Sequence, residues 1–325
     1  MRFGLLVLAA LIVASPAMAD DGAASLAVGG LVLMKREPRI AMAREVLIIS
    51  ESKVEVEYEF RNDSDTDITT EVAFPIPAYN FMCGDRDCAR QGFDDFRLWV
   101  DGSPAKFDTE VRAISGNRDI TDILRPLHID IASFGHYSSR TERSADLDRL
   151  TPNQRNRLVG LKAIEVNPNY VQPLWSVQKK YHWSQTFPAH ATVRIRHEYT
   201  PWLGSSNSVD SEWLRTGKNA TEGEELPTVC PTTSLLNLLR RQSKTNKRLY
   251  AITYVDFILT TANTWKQPIE DFTLKVKRDP QTDFVSFCWN GPVNRVDANN
   301  FLVETKNFVP TRELRIGFLK GYSPE

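Results

Sequence analysis

Val54, Val56, Tyr58 and Phe60 alternate with Glu55, Glu57 and Glu59. Successive side chains of a strand point to opposite faces, so this period of two predicts a strand with one apolar and one charged face. The pattern recurs. Val193, Ile195, His197 and Tyr199 alternate with Arg194, Arg196 and Glu198; Ala251 to Leu259, Phe272 to Val276 and Leu314 to Phe318 repeat it. Thr69 to Phe74 is a β-prone run closed by Pro75-Ile76-Pro77, where a ladder runs out of donors. Phe96 to Val100 runs into Asp101-Gly102, and Asn62-Asp63-Ser64-Asp65, Asp279-Pro280 and Asn290-Gly291-Pro292 mark further turns. Many short alternating strands with such punctuation predict sheets packed face to face.

Two stretches break the pattern. Between about 117 and 165, Asp119 is placed to cap a short helix carrying Ile120, Ile123 and Leu124. Thr151-Pro152-Asn153-Gln154 combines an N-cap threonine, proline at the first helical position and glutamine three residues after the cap. Gly160 is the expected stop of that helix. A second helix is expected at about 233–242, with Leu235, Leu236, Leu238 and Leu239 on one side. The fold class expected is mainly β: two β-sandwich-like units, a short helical insertion in the first and a short helix opening the second. Their expected extents are 20–205 and 206–325, with a polar linker at about 203–229. Tyr181 to Gln185 and Val193 to Tyr199 are expected to pair as a hairpin around Pro188-Ala189-His190.

The first 19 residues read as a signal peptide. Arg2 is the positive end, Leu5 to Ala14 the apolar stretch, and Ala17-Met18-Ala19 the cleavage site, leaving Asp20 first. The apolar run falls short of the roughly 20 residues that span a bilayer. Asp20 is not the cysteine that lipid attachment needs. Removing those residues takes one of 40 basic side chains and none of 41 acidic ones, leaving 306 residues at a formal net charge of −2. Nothing here condenses onto nucleic-acid phosphates, and no later apolar run is long enough to span a membrane. The mature chain is expected to be soluble, in the periplasm or the medium.

Cys83, Cys88, Cys230 and Cys288 all lie beyond the signal. An even count in an exported chain reads as two disulfides. Cys83 and Cys88 flank the polar loop Gly-Asp-Arg-Asp, so the pairing favoured is Cys83–Cys88 and Cys230–Cys288. Zinc sites use paired short hooks, which Cys230 and Cys288 do not form.

These residues resemble a known family. Asp21-Gly22-Ala23-Ala24 with Gly29-Gly30-Leu31, Val56 to Asn62 and Ala73-Phe74-Pro75-Ile76-Pro77 are similar to the bacterial secreted family called domain of unknown function 4424. So are Tyr181 to Ala189, His197-Glu198-Tyr199-Thr200-Pro201, Leu259 to Trp265, Ser286-Phe287-Cys288 and Pro310 to Leu314. At Ala262-Asn263-Thr264-Trp265 the chain departs from the family pattern, which has a glycine and no threonine there. The resemblance implies export and β-rich structure, and supplies no activity, substrate or catalytic residue.

Motifs for chemistry are not found. There is no H-E-x-x-H, P-loop or G-x-G-x-x-G, and Gly204-Ser205-Ser206-Asn207 lacks the second glycine of a hydrolase elbow. Asp85, Asp87, Asp94 and Asp95 lack the EF-hand spacing. His197 is read as a hydrogen-bonded core residue. Trp175, Tyr181, Trp183, Tyr199 and Trp202 are read as sheet packing, with an aromatic groove for a glycan or peptide as the alternative. No catalytic, cofactor or metal residue is assigned. The function expected is a non-catalytic binding or scaffolding module whose partner is an envelope protein or a glycan. The alternative is a secreted hydrolase using a carboxylate pair, which leaves no local signature.

Overall fold

The alternating run at 54–60 becomes the strand Val54–Asn62, with Val54, Val56, Tyr58 and Phe60 buried and Glu57 exposed. The computed structural model describes residues 21–27, 31–81, 95–138, 141, 143–168, 170–206, 209, 229–246 and 249–322. Val54–Asn62 lies inside an eight-stranded sheet. Its order is Asn294–Arg295, Asn300–Phe308, Ile269–Lys277, Ile40–Ile49, Val54–Asn62, Thr192–Tyr199, Arg97–Val100 and Ser103–Pro104. A seven-stranded sheet runs Arg118–Asp119, Asp108–Ser115, Ser176–Phe187, Ile68–Pro75, Gly22–Ala27 and Leu31–Met34, with Tyr79–Asn80 also on Ser176–Phe187.

Rings meet between these two sheets. Phe74 lies 4.3 Å from His197 and Phe187 lies 5.7 Å from Phe60, centroid to centroid. The chain is therefore mainly β and sandwich-like, as its alternation predicts.

The expected hairpin is corrected. Ser176–Phe187 pairs with Ile68–Pro75 and Asp108–Ser115, whereas Thr192–Tyr199 pairs with Val54–Asn62 and Arg97–Val100. The turn at Pro188-Ala189-His190 carries the chain from one sheet to the other. Tyr181, Trp183, Ile195 and His197 are all buried, so the inward set was read correctly and the partner was not. Alternation marks which face meets the core; two strands on opposite walls of a sandwich satisfy it as well as two neighbours do.

Asp101-Gly102 makes the tight turn before Ser103–Pro104, with φ of 48° and 79°. Positive φ at both central positions suits the right-handed twist of a two-residue hairpin.

A four-stranded sheet follows: Leu203–Ser206, Leu249–Phe257, Leu314–Tyr322 and Phe284–Phe287. Its strand at 203–206 occupies the start of the expected linker; most of the remainder, 210–228, lies outside the described residues. Val255, Phe257, Ile316 and Phe318 join the main core, while Tyr250, Ile252 and Leu319 pack with Leu236 and Leu239 of the helix Thr233–Asn246. Burial on both faces explains why odd and even positions of Leu249–Phe257 are apolar. Ile269–Lys277 lies parallel to Ile40–Ile49, from Asp271 beside Arg44 to Val276 beside Ile49. The halves either side of 203–229 are thus joined through a shared sheet.

The insertion is helical in part. Thr121–Leu124 is a single α turn followed by a 3₁₀ turn at Arg125–Leu127, and Asp119 Oδ1 accepts from the Thr121 N–H at 2.8 Å. Pro152–Gly160 is a helix with a complete capping box between Thr151 and Gln154. It does not stop at Gly160 through a left-handed glycine. Leu161 is the C-cap, and Lys162 carries the positive φ of 55°. The insertion is sewn to the sandwich by Trp175 Nε1–H donating to the Ile131 carbonyl and Ser115 Oγ donating to that of Lys162.

Candidate binding site

Cys230 and Cys288 form a disulfide with Cα atoms 4.9 Å apart. It joins the segment before the helix Thr233–Asn246 to the end of the strand Phe284–Phe287. Cys83, Cys88, Ala19 and Asp20 lie outside the described residues, as do Asp85, Asp87 and Asp94. Asp95 accepts from both the N–H and the hydroxyl of Thr200. Four histidines each meet a carboxylate: His182 with Glu71 at 2.6 Å, His136 with Asp146 at 2.9 Å, His190 with Asp65 at 2.8 Å and His197 with Asp21 at 3.3 Å. Among the described residues no three His, Cys, Asp or Glu side chains gather as metal ligands do.

Trp175, Tyr181, Trp183 and Tyr199 are at most 5% exposed, so they are core and not a groove; Trp202 is half-buried and stacks on Tyr79 at 5.3 Å. The aromatic surface that does border a recess lies elsewhere. Phe308, from the eight-stranded sheet, and Leu314, from the four-stranded one, both line a pocket of about 50 Å³. Trp289 backs it. Its indole stacks on Phe272 at 5.7 Å and meets Phe308 at 5.3 Å. Leu259 and Cys288 complete the apolar lining, and Asn290, Thr311, Arg312 and Glu313 form the polar part.

The walls are fixed from behind. Both Glu313 oxygens are committed to the 3₁₀ turn Thr260–Thr264: Oε2 accepts from the N–H groups of Leu259 and Thr260 at 2.8 and 3.2 Å, and Oε1 from the Thr260 hydroxyl at 2.6 Å. A carboxylate at such a turn start satisfies donors that have no partner within the turn. The disulfide anchors the segment that carries Trp289. Arg312 is exposed and donates to Asn290 Oδ1 at 3.2 Å.

The family model for a domain of unknown function, DUF4424, matches residues 19–316. The chain belongs to the DUF4424 family. No curated protein matches it. Among solved structures it is similar to one described as a "putative nutrient binding protein" from Legionella pneumophila, at 13% identity and a TM-score of 0.41, over 94% of this chain and 73% of that one.

The first stretch matched by the DUF4424 model enters the core. Asp21 is fully buried, its N–H donating to Tyr58 Oη at 3.3 Å and its carbonyl accepting from Trp265 Nε1–H at 2.6 Å. Burial pushes the Asp21 carboxyl above the usual range, and His197 pulls it partly back. Glu45 is equally buried and stands opposite Tyr58 on the neighbouring strand. Carboxylates that cleave a glycosidic bond face it across a cleft; these two have no exposed surface.

On the face of the eight-stranded sheet opposite His197, Glu198 gathers Lys53, Arg97 and Arg196 within 2.7 Å. Burial alone would raise its carboxyl, but the three cations outweigh it and hold it low.

Sequence reading missed the recess. Its residues come from 259, 288–290 and 308–314, and only the sheet topology brings them together. The available signal was Trp289, a large aromatic placed between Cys288 and the turn Asn290-Gly291-Pro292.

Proposed function

We propose that this chain is an exported, non-catalytic binding module of the bacterial envelope, and that the Trp289 recess is its ligand contact. The recess is the observation that carries the reading: an indole and a phenyl ring beside a few polar groups is the make-up of a recognition site. Because Glu313 and the disulfide hold its walls, little ordering cost remains when a ligand enters. Export rests on the Arg2, Leu5 to Ala14 and Ala17-Met18-Ala19 pattern and on cysteines suited to an oxidising compartment. The partner in this reading is an envelope protein or glycan that presents a small protruding group.

A panel of amino acids, short carboxylic acids, monosaccharides and small alcohols tests it. The indole N–H resonance of Trp289, assigned through its loss in Trp289→Phe, is followed as each is added to the labelled protein. Saturable shifts centred on Trp289, weakened in Phe308→Ala where the indole is still present to report, are expected. A panel that leaves this resonance unmoved overturns the reading.

A further inference from the structure

Arg312 stands at the rim of the recess with one of its five N–H groups engaged, the one donating to Asn290 Oδ1. Several arginines elsewhere in the fold are paired. Arg315 grips both Asp256 oxygens, Arg61 holds Glu270, and Arg97 and Arg196 hold Glu198. The carboxylate next to Arg312 in the chain is that of Glu313, and both of its oxygens are taken by Leu259 and Thr260. A guanidinium is therefore held out beside an apolar hole with no carboxylate of the described residues within ion-pair distance.

Size narrows what can enter. A cavity of about 150 Å³ holds benzene, so a space of about 50 Å³ takes a group of two or three carbons. A pyranose ring does not fit inside and can only lie across the mouth. Leu259, Leu314, Phe308 and Trp289 favour an aliphatic group at the bottom. A guanidinium presents parallel N–H donors that match the two oxygens of a carboxylate. A phosphate usually draws several cations or a helix start, and the rim offers one arginine next to a committed glutamate.

The geometry points to a carboxylate-bearing ligand whose small branched aliphatic group fills the recess while its carboxylate meets Arg312. This rests on the recess being the binding site and adds its chemistry. Both the end of a polypeptide with a terminal valine or alanine and a free short-chain acid have that chemistry.

The probes are N-acetylvaline, N-acetylvalinamide, isovalerate and the peptide acetyl-Gly-Gly-Ala-Val, each titrated while the Trp289 indole resonance is read. N-acetylvaline is expected to bind about tenfold more tightly than its amide, because only the acid makes a charge-assisted bond. Arg312→Gln, a change at an exposed side chain, should abolish that preference. Tighter binding of the peptide than of isovalerate assigns the site to polypeptide ends; the reverse order assigns it to free acids. An amide that binds as well as the acid, or a preference that survives in Arg312→Gln, overturns the carboxylate assignment while leaving the recess as the site. If no probe moves Trp289, the carboxylate assignment is overturned, and the wider panel of alcohols and sugars decides whether the recess binds at all.

Discussion

Asp21 Oδ1 lies 3.3 Å from His197 Nε2, and neither side chain reaches solvent. The pair links the N-terminal strand Gly22–Ala27 to the opposite wall of the sandwich, since His197 belongs to Thr192–Tyr199. The strand Gly22–Ala27 is joined to Ile68–Pro75 by only three register pairs. Trp265, Tyr58 and Thr264 supply further hydrogen bonds, the last accepting from the Ala23 N–H at 2.9 Å. Tyr58, Phe74 and Phe96 surround the imidazole.

Removing the imidazole takes away a close neighbour of Asp21 and opens a cavity among Tyr58, Phe74 and Phe96, so His197→Ala is expected to cost about 3–5 kcal/mol. Asp21→Asn keeps a polar group there and should cost less. Its pH dependence carries a sign. The Asp21 carboxyl is raised in the folded state, so its contribution is fully present below the unfolded value near 3.8 and is lost as pH rises through the folded value. The penalty of Asp21→Asn relative to the parent should therefore be largest in acid and shrink towards neutrality. Urea melts from pH 4 to pH 8 check this; a penalty that grows with pH contradicts it.

The disulfide closes a separation of 58 residues. Chain entropy puts its contribution at about 4 kcal/mol, against roughly 2 for a bridge across the short Cys83–Cys88 loop. Val229, next to Cys230, is fully buried, and its carbonyl accepts from Ser286 Oγ at 2.8 Å, so the bridge reinforces packing already present. Cys230→Ser/Cys288→Ser should lose about 2–5 kcal/mol in denaturant melts, and more than Cys83→Ser/Cys88→Ser. Peptide mapping without reductant should recover Cys230 joined to Cys288. A smaller loss than that of the short-loop variant, or Cys83 joined to either of them, counts against the assignment.

Export predicts a specific mass. The protein recovered from outside the cytoplasm should begin at Asp20 and carry no lipid, which intact mass spectrometry reads directly. A mass that retains residues 1–19, or an added acyl chain, contradicts the proposal.

Local rules carried far in this chain. The capping box at Thr151–Gln154 was legible because all of its partners lie within four residues. The inward faces at 54–60 and 193–199 were legible because period-two burial needs only one strand. Partner choice was not. Nothing near Ile40–Ile49 announces that Ile269–Lys277 will lie parallel to it, because that pairing is decided by how the whole core closes. The same distance hid the candidate site. Trp289, Phe308 and Arg312 carry no motif between them, and each alone reads as a strand end or a turn.

The Trp289 recess is proposed to bind a ligand through an aliphatic group and a carboxylate. A crystal structure of the protein soaked with N-acetylvaline tests it most directly. Density is expected in the recess, with the isopropyl group against Leu314 and Phe308 and the carboxylate at about 2.7–2.9 Å from Arg312. A recess left empty at saturating N-acetylvaline, or a molecule seated with its carboxylate turned away from Arg312, contradicts it.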